Sequence, residues 1–231
     1  MAEAGGIAAE YLATREEPPI PGASRTTFHI EDLRSRAVRL HAAAKVMLDQ
    51  LPPFCSYEEL SLSQCRNIIP RWLRGVLLDE AAPRVMHKYH NLTAYNIWSW
   101  MRWSMMRLLQ VEVHISMTLA QGGQPNFVDS WVAELQGFVE DFCAGIGYAI
   151  MPFHESDEQS WESSDDVRGV KGHFMVRSIA GARLTMGFLR RLGVEMEEAQ
   201  RWVEYVLQVV KFDVGIEPFR VEDPLDIPWL L

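Results

Sequence analysis

Apolar residues return at three- and four-residue steps through most of the chain, and no stretch alternates apolar with polar residues long enough to read as a strand. The pattern predicts helices. The first starts near Thr27, carries Glu31 and Asp32 in the first turn, where the helix dipole favours acids, and runs through DLRSRAVRLHAAAKVMLDQL until Pro52 and Pro53 stop it. A mixed region from Phe54 to Pro83 leaves room for one short helix. The longest helix is expected over about 84–120, in YHNLTAYNIWSWMRWSMMRLLQVEVHI, where Leu92, Trp98, Met101, Met105, Leu108 and Ile115 keep helical spacing. Its other faces are apolar too, as in a helix surrounded by partners. Gly122 and Gly123 should end it and Asn126 should cap the next helix, FVDSWVAELQGFVEDFCAGIGYAI, whose Gly145 and Gly147 suggest close packing or an irregular last turn. Two more helices are expected over about 171–191 and 195–213.

The fold class is therefore all-α, one domain of five to seven helices around a long central buried helix. Residues 1–25, rich in Ala, Gly, Glu and Pro, read as a flexible leader, residues 26–216 as the helical domain, and 217–231 as a tail with an apolar end.

Composition narrows what such a domain can do. A length of 231 residues is enough for a substantial core, and 23% charged residues argue against wholesale disorder. A net charge of −9 with scattered bases, gathered only around Arg177, Arg183, Arg190 and Arg191, opposes direct nucleic-acid binding. The three cysteines, Cys55, Cys65 and Cys143, form no CxxC and no disulfide framework, so no metal and no cofactor is expected. The N-terminal residues do not resemble a secretory signal, and no run of apolar residues is long enough to span a membrane. The expectation is an intracellular protein, cytoplasmic or nuclear, without a membrane partner. HESDEQSWESSDD, with six acids and no base, reads as a solvated loop.

Several segments together resemble the C-terminal part of the regulatory domain of fungal zinc binuclear cluster transcription factors. LPPFCSYEEL is similar to that family's Leu-Pro helix end. YHNLTAYNIWSWMRWSMMRLL resembles its W-N-N-Y-R-x-x-R-I-L-L helix at Trp98, Arg102, Leu108 and Leu109, with Ser99, Trp100 and Met101 replacing the asparagines and tyrosine. DFCAGIGYAIMPFH keeps Asp141, Cys143 and Ala144, and RWVEYVLQVVKFDVGI keeps Arg201, Trp202, Gly215 and Ile216. The resemblance spans roughly residues 35–216 and rests on core positions, so it implies a fold and a regulatory role rather than a chemistry. The family's DNA-binding module needs six cysteines around two zinc ions, which three cysteines cannot supply.

Candidate chemistry centres on the long helix. In HKYH, His87 and His90 would share a face if that turn is helical; a metal there would need a third ligand from Asp79, Glu80 or His114, whereas a plain reading is an exposed or capped pair. Tyr89, Trp98, Trp100, Met101 and Trp103 form an aromatic and methionine stretch that either packs as core or walls a ligand pocket. Arg102 and Arg177, set in apolar sequence, require carboxylate partners such as Glu112, Glu140 or Asp141, or an anionic group of a ligand. GxSxG, HExxH and phosphate-binding glycine motifs are absent, and Cys143 reads as a packed thiol. Two functions follow as expectations. One is a regulatory or ligand-binding helical domain for an apolar small molecule or another protein. The other is a cofactor-free natural-product enzyme, a cyclase or isomerase on the same fold, working as a monomer or homodimer with His87, His90 and Arg102 as catalytic groups.

Overall fold

Pro52 and Pro53 break the first helix where expected, and the chain that follows departs from the helical pattern. The computed structural model describes residues 6–7, 9–10, 24–65, 69, 71–119, 128–150 and 172–213. Helix α1, Ser24–Asp49, buries Leu33, Ala37 and His41, one residue per turn, while Val38, Val46 and Met47 are exposed. Ile7, within the expected leader, is fully buried, and Glu10 accepts a hydrogen bond from Arg36 at 2.9 Å. Pro53 then opens a short 3-10 turn, Pro53–Cys55.

Strand β1, Tyr57–Ser61, pairs antiparallel with β2, Val85–Tyr89, in the register Tyr57 with Tyr89, Glu59 with His87 and Ser61 with Val85. Helices α2, Leu62–Cys65, and α3, Arg71–Leu77, lie between them in sequence. This hairpin corrects the expectation of helix from about residue 84. Pro83 precedes the strand, Lys88 comes within 3.8 Å of Glu58 across the pair, and the partner strand lies too far back for local periodicity to reveal it. The long helix α4, Leu92–Leu119, starts only after Asn91, whose Oδ1 accepts from the Ala94 N–H at 2.8 Å as an N-cap. Helices α5, Val128–Ile150, α6, Gly172–Arg191, and α7, Glu197–Asp213, follow. The protein is thus predominantly α, with seven α-helical segments and a two-stranded pair among the described residues. The expected turn at Gly122 and Gly123, the Asn126 cap, the acidic HESDEQSWESSDD segment and the C-terminal tail lie outside the described residues.

Two compact units divide the chain. The first holds the described residues up to Leu51 together with Trp100–Leu135, and the second holds Pro52–Ser99 and the residues from Gln136 through α7. In the first unit α4 is buried at nearly every position from Met105 to Ser116, as its all-round apolar sequence requires. Trp131 and Leu135 of α5 add to that core.

In the second unit the packing is close. Gly147 of α5 sits against Met86 of β2, whose sulfur would lie 2.5 Å from an added Cβ, and Gly181 of α6 faces the Phe142 ring, 2.6 Å from such an atom. Trp202 of α7 is 1% exposed and donates its indole N–H to the Val76 carbonyl at 2.8 Å, tying α7 to the end of α3. Helix α6 stops in a Schellman turn: Gly193, at φ 80°, donates to the Arg190 carbonyl, and the Val194 N–H reaches back to Leu189 at 3.0 Å. That stop fixes where α7 begins. No described helix is long and apolar enough to cross a membrane.

Candidate functional site

Strand geometry places alternate residues on one face, so His87 and Tyr89 lie side by side on β2. Helix geometry gives α5 a facing stripe, Asp141, Gly145 and Tyr148, at four- and three-residue steps. The two meet. His87 is 2% exposed; its Nδ1 hydrogen-bonds the Tyr89 hydroxyl at 3.3 Å, and its Nε2 lies 3.8 Å from Asp141 Oδ1. The second distance is longer than a direct hydrogen bond. Asp141 is half-exposed, so the imidazole connects a buried phenol with a carboxylate open to solvent.

Aromatic rings hold this imidazole. Tyr57 of β1 lies against it, centroids 4.2 Å apart, and meets Trp98 of α4 edge-on at 4.8 Å. Trp98 donates its indole N–H to the Cys55 carbonyl at 2.7 Å, fastening the 3-10 turn to α4. Tyr89 packs edge-on against Tyr95 and Tyr148, and the Tyr95 hydroxyl shares a 2.6 Å hydrogen bond with Ser178 of α6. Each such ring pair contributes about 0.5–1.5 kcal/mol beyond its buried area. The His87 side chain is therefore held by β1, by its own strand and by the tyrosine cluster behind it.

A cavity of about 1010 Å³ opens on this edge of the unit. His87 and Val85 of β2, Asp141 and Cys143 of α5, and Trp202 of α7 are in its lining. Burial, together with the negative charge of Glu140, pushes the Cys143 thiol up to about 12, so the sulfur stays protonated and is no nucleophile at neutral pH.

The expected site residues separate. His87, Tyr89 and Trp98 come together here, but His90 is exposed past the strand end and shares no face with His87, since that turn is not helical. Trp100, Met101, Arg102 and Trp103 belong to the first unit. Trp100 is 42% exposed, Arg102 is buried, and Trp103 carries the Arg107 guanidinium over its ring at 5.4 Å. The Arg177 side chain lies outside the described set. Of the carboxylates expected beside Arg102, Asp141 faces His87 and Glu112 accepts from the Trp131 indole at 3.3 Å. Asp79, a proposed third metal ligand, caps the Ala81 N–H at 2.9 Å, and no group of three metal-binding side chains occurs among the described residues. Tyr57 and Asp141 complete the arrangement without having been expected in it; Tyr57 is betrayed only by its register opposite Tyr89, and Asp141 only by tertiary contact.

The first unit holds a second buried histidine. His41 Nε2 of α1 lies 3.1 Å from Glu134 Oε1 of α5 without the alignment of a hydrogen bond, and Lys45, one turn along α1, pairs with the same oxygen. Burial alone would raise the Glu134 carboxyl, but the polar contacts and charges of His41 and Lys45 outweigh it and hold the group below the usual carboxylate value. Nearby Glu112 moves the other way, raised by burial against the weaker lowering effects of the Trp131 hydrogen bond and of His41 and Arg34.

No family model, curated protein or solved structure matches the chain.

Proposed function

We propose that the chain is a regulatory or ligand-binding helical domain, of the kind its resemblance to fungal transcription factor regulatory regions implies, and that the ligand site is the cavity beside β2. One observation carries the reading: a cavity of about 1010 Å³ has in its wall a buried imidazole oriented by Tyr89 and facing Asp141. Ligand sites commonly enclose about 300–1,000 Å³ and place a few oriented polar groups in an otherwise packed wall. The aromatic stretch Trp98–Trp103 does not serve as that wall. Trp98 supports the hairpin from behind, and the recognition groups come from β2 and α5.

A second reading, the cofactor-free cyclase or isomerase, draws on the same residues. An imidazole with a phenol at one nitrogen and a carboxylate near the other suits proton transfer to and from a bound molecule. Holding that molecule in a reactive conformer would supply the rest of the rate. In this reading His87 is the acid–base group and Asp141 orients or charges it; His90 and Arg102 take no part.

Native mass spectrometry of the purified chain against a fungal metabolite extract tests the proposal. The expected result is a retained small molecule, released or weakened in Asp141→Asn. A well-folded chain that stays empty in the extract contradicts the ligand-binding reading. Recovery of the retained molecule with altered connectivity would decide for the enzyme.

A further inference from the structure

We infer that the solvent side of α1 is a self-association surface, which pairs antiparallel with the same helix of a second copy of this chain. Helix α1 buries one line of residues, Leu33, Ala37 and His41, and its opposite side carries Val38, Ala42 and Val46 at four-residue steps. An outward side of this kind ordinarily holds charged residues. Here Val46 is 53% and Met47 59% exposed, and Ala42 and Ala43 beside them are exposed as well. Three of the eight large apolar side chains exposed among the described residues, Val38, Val46 and Met47, fall on this one stretch of helix.

Two charges bracket the stripe. Arg39 and Asp49 are exposed, and neither forms an ion pair with a described residue. The positions one turn from Arg39 hold Ser35, Arg36, Ala42 and Ala43, so its own helix offers it no acid. Lys45 lies one turn before Asp49, but its Nζ is on Glu134 of α5. Asp49 also stands at the C-terminal end of α1, where the helix dipole disfavours an acid. Neither charge is explained within its helix, and a reversed copy of that helix answers both. The two residues are about 15 Å apart along the axis, with Ala42 and Val46 placed evenly between them. A two-fold axis passing beside residue 44 therefore sets Arg39 of each copy against Asp49 of the other, and Ala42 against Val46. A parallel pairing would set Arg39 against Arg39 and Asp49 against Asp49, so the charges select the antiparallel one. The small side chains of Ala42 and Ala43 admit a close approach, near the short end of the usual spacing of about 8–10 Å between helix axes. The stripe spans about three helical turns, less than the roughly 800 Å² per partner of a standard interface, so the dimer is weak and reversible. This surface belongs wholly to the first unit and does not rest on the ligand-binding reading of the second.

Sedimentation equilibrium of the whole chain, loaded over a range from about 1 to 300 µM, tests the pairing. Two copies of net charge −9 repel each other at low ionic strength, so the measurement is made at about 0.15 M salt. The expected result is a monomer–dimer equilibrium with a Kd on the order of 100 µM. Arg39→Glu and Asp49→Arg should each weaken it about tenfold, because each places two like-charge contacts across the two-fold axis. The double variant restores opposite charges and should return to within about threefold of the starting Kd. Both positions are exposed, so helix content by circular dichroism should be unchanged in all three variants. A chain that stays monomeric throughout the range overturns the proposal, as does a dimer that either single variant leaves unweakened. A double variant no tighter than the single ones overturns it too.

Discussion

Among the described residues, a buried histidine faces a carboxylate in each unit, and the two pairs differ in what surrounds them. In the first unit His41 Nε2 lies 3.1 Å from a Glu134 oxygen that Lys45 also reaches, and the two bases hold the carboxyl below its usual value. In the second, His87 stands 3.8 Å from Asp141 in the wall of a cavity, with its far nitrogen fixed by Tyr89. The first is a packed ion pair joining α1 to α5. The second sets an imidazole oriented by Tyr89 beside a half-exposed carboxylate in a cavity wall. An ion pair packed between two helices contributes to the fold, whereas an oriented imidazole in a cavity wall is placed to meet a ligand.

The contrast is broken most forcefully at Glu134. Glu134→Ala leaves buried His41 without the carboxylate it faces, while half-exposed Lys45 turns to solvent, and should cost about 2–3 kcal/mol of unfolding free energy, measurable by denaturant titration. His87→Gln should cost less, about 1–2 kcal/mol, because its aromatic contacts are partly kept, but it should abolish ligand retention, which Glu134→Ala should leave intact in the folded fraction. Glu112→Gln should stabilise the protein by about 1 kcal/mol, since it removes a carboxylate whose ionisation burial opposes while preserving an oxygen for Trp131. The sign follows from linkage. A carboxyl raised in the folded state favours folding while protonated and erodes stability as pH climbs from its unfolded value near 4.5 through the raised value. The Glu112→Gln advantage should therefore be full at neutral pH and vanish in acid. Glu134 works oppositely: lowered in the fold, it stabilises above its unfolded value and loses that contribution as pH falls. The smallest expected stability effect is that of Asp141→Asn, under about 0.5 kcal/mol for a half-exposed group, set against its large effect on binding.

These two pairs also mark how far the chain can be read from its residues alone. Helices α4 to α7 and the stop at Pro52 were legible because three- and four-residue spacing, capping residues and prolines act locally. The role of Gly147 as a close-packing residue was legible for the same reason, and Met86 proves to be what it accommodates. The hairpin was not. Its strands are five residues long, and β2 adjoins a helix whose apolar pattern continues backward through Tyr89. Only the cap at Asn91, an Asn followed by a strong helical run, signalled that α4 began later. Reading His87 onto a helix paired it with His90, while the strand pairs it with Tyr89 and sets it against Tyr57 and Asp141. Such partners come from three places in the chain and meet only through tertiary packing. His41 was missed for a related reason: it continues an apolar stripe, Leu33, Ala37, His41, and reads as a core position unless Glu134 is known to face it.

The most direct measurement follows both imidazoles at once, by nitrogen–proton correlation spectroscopy of ¹⁵N-histidine-labelled protein titrated with the small molecule retained from the metabolite extract. The expected result is a saturable shift of the His87 ring resonances with those of His41 unmoved, and loss of that shift in Asp141→Asn. Saturable binding that leaves His87 unmoved, or that moves His41 instead, would contradict the assignment of the β2 cavity as the site.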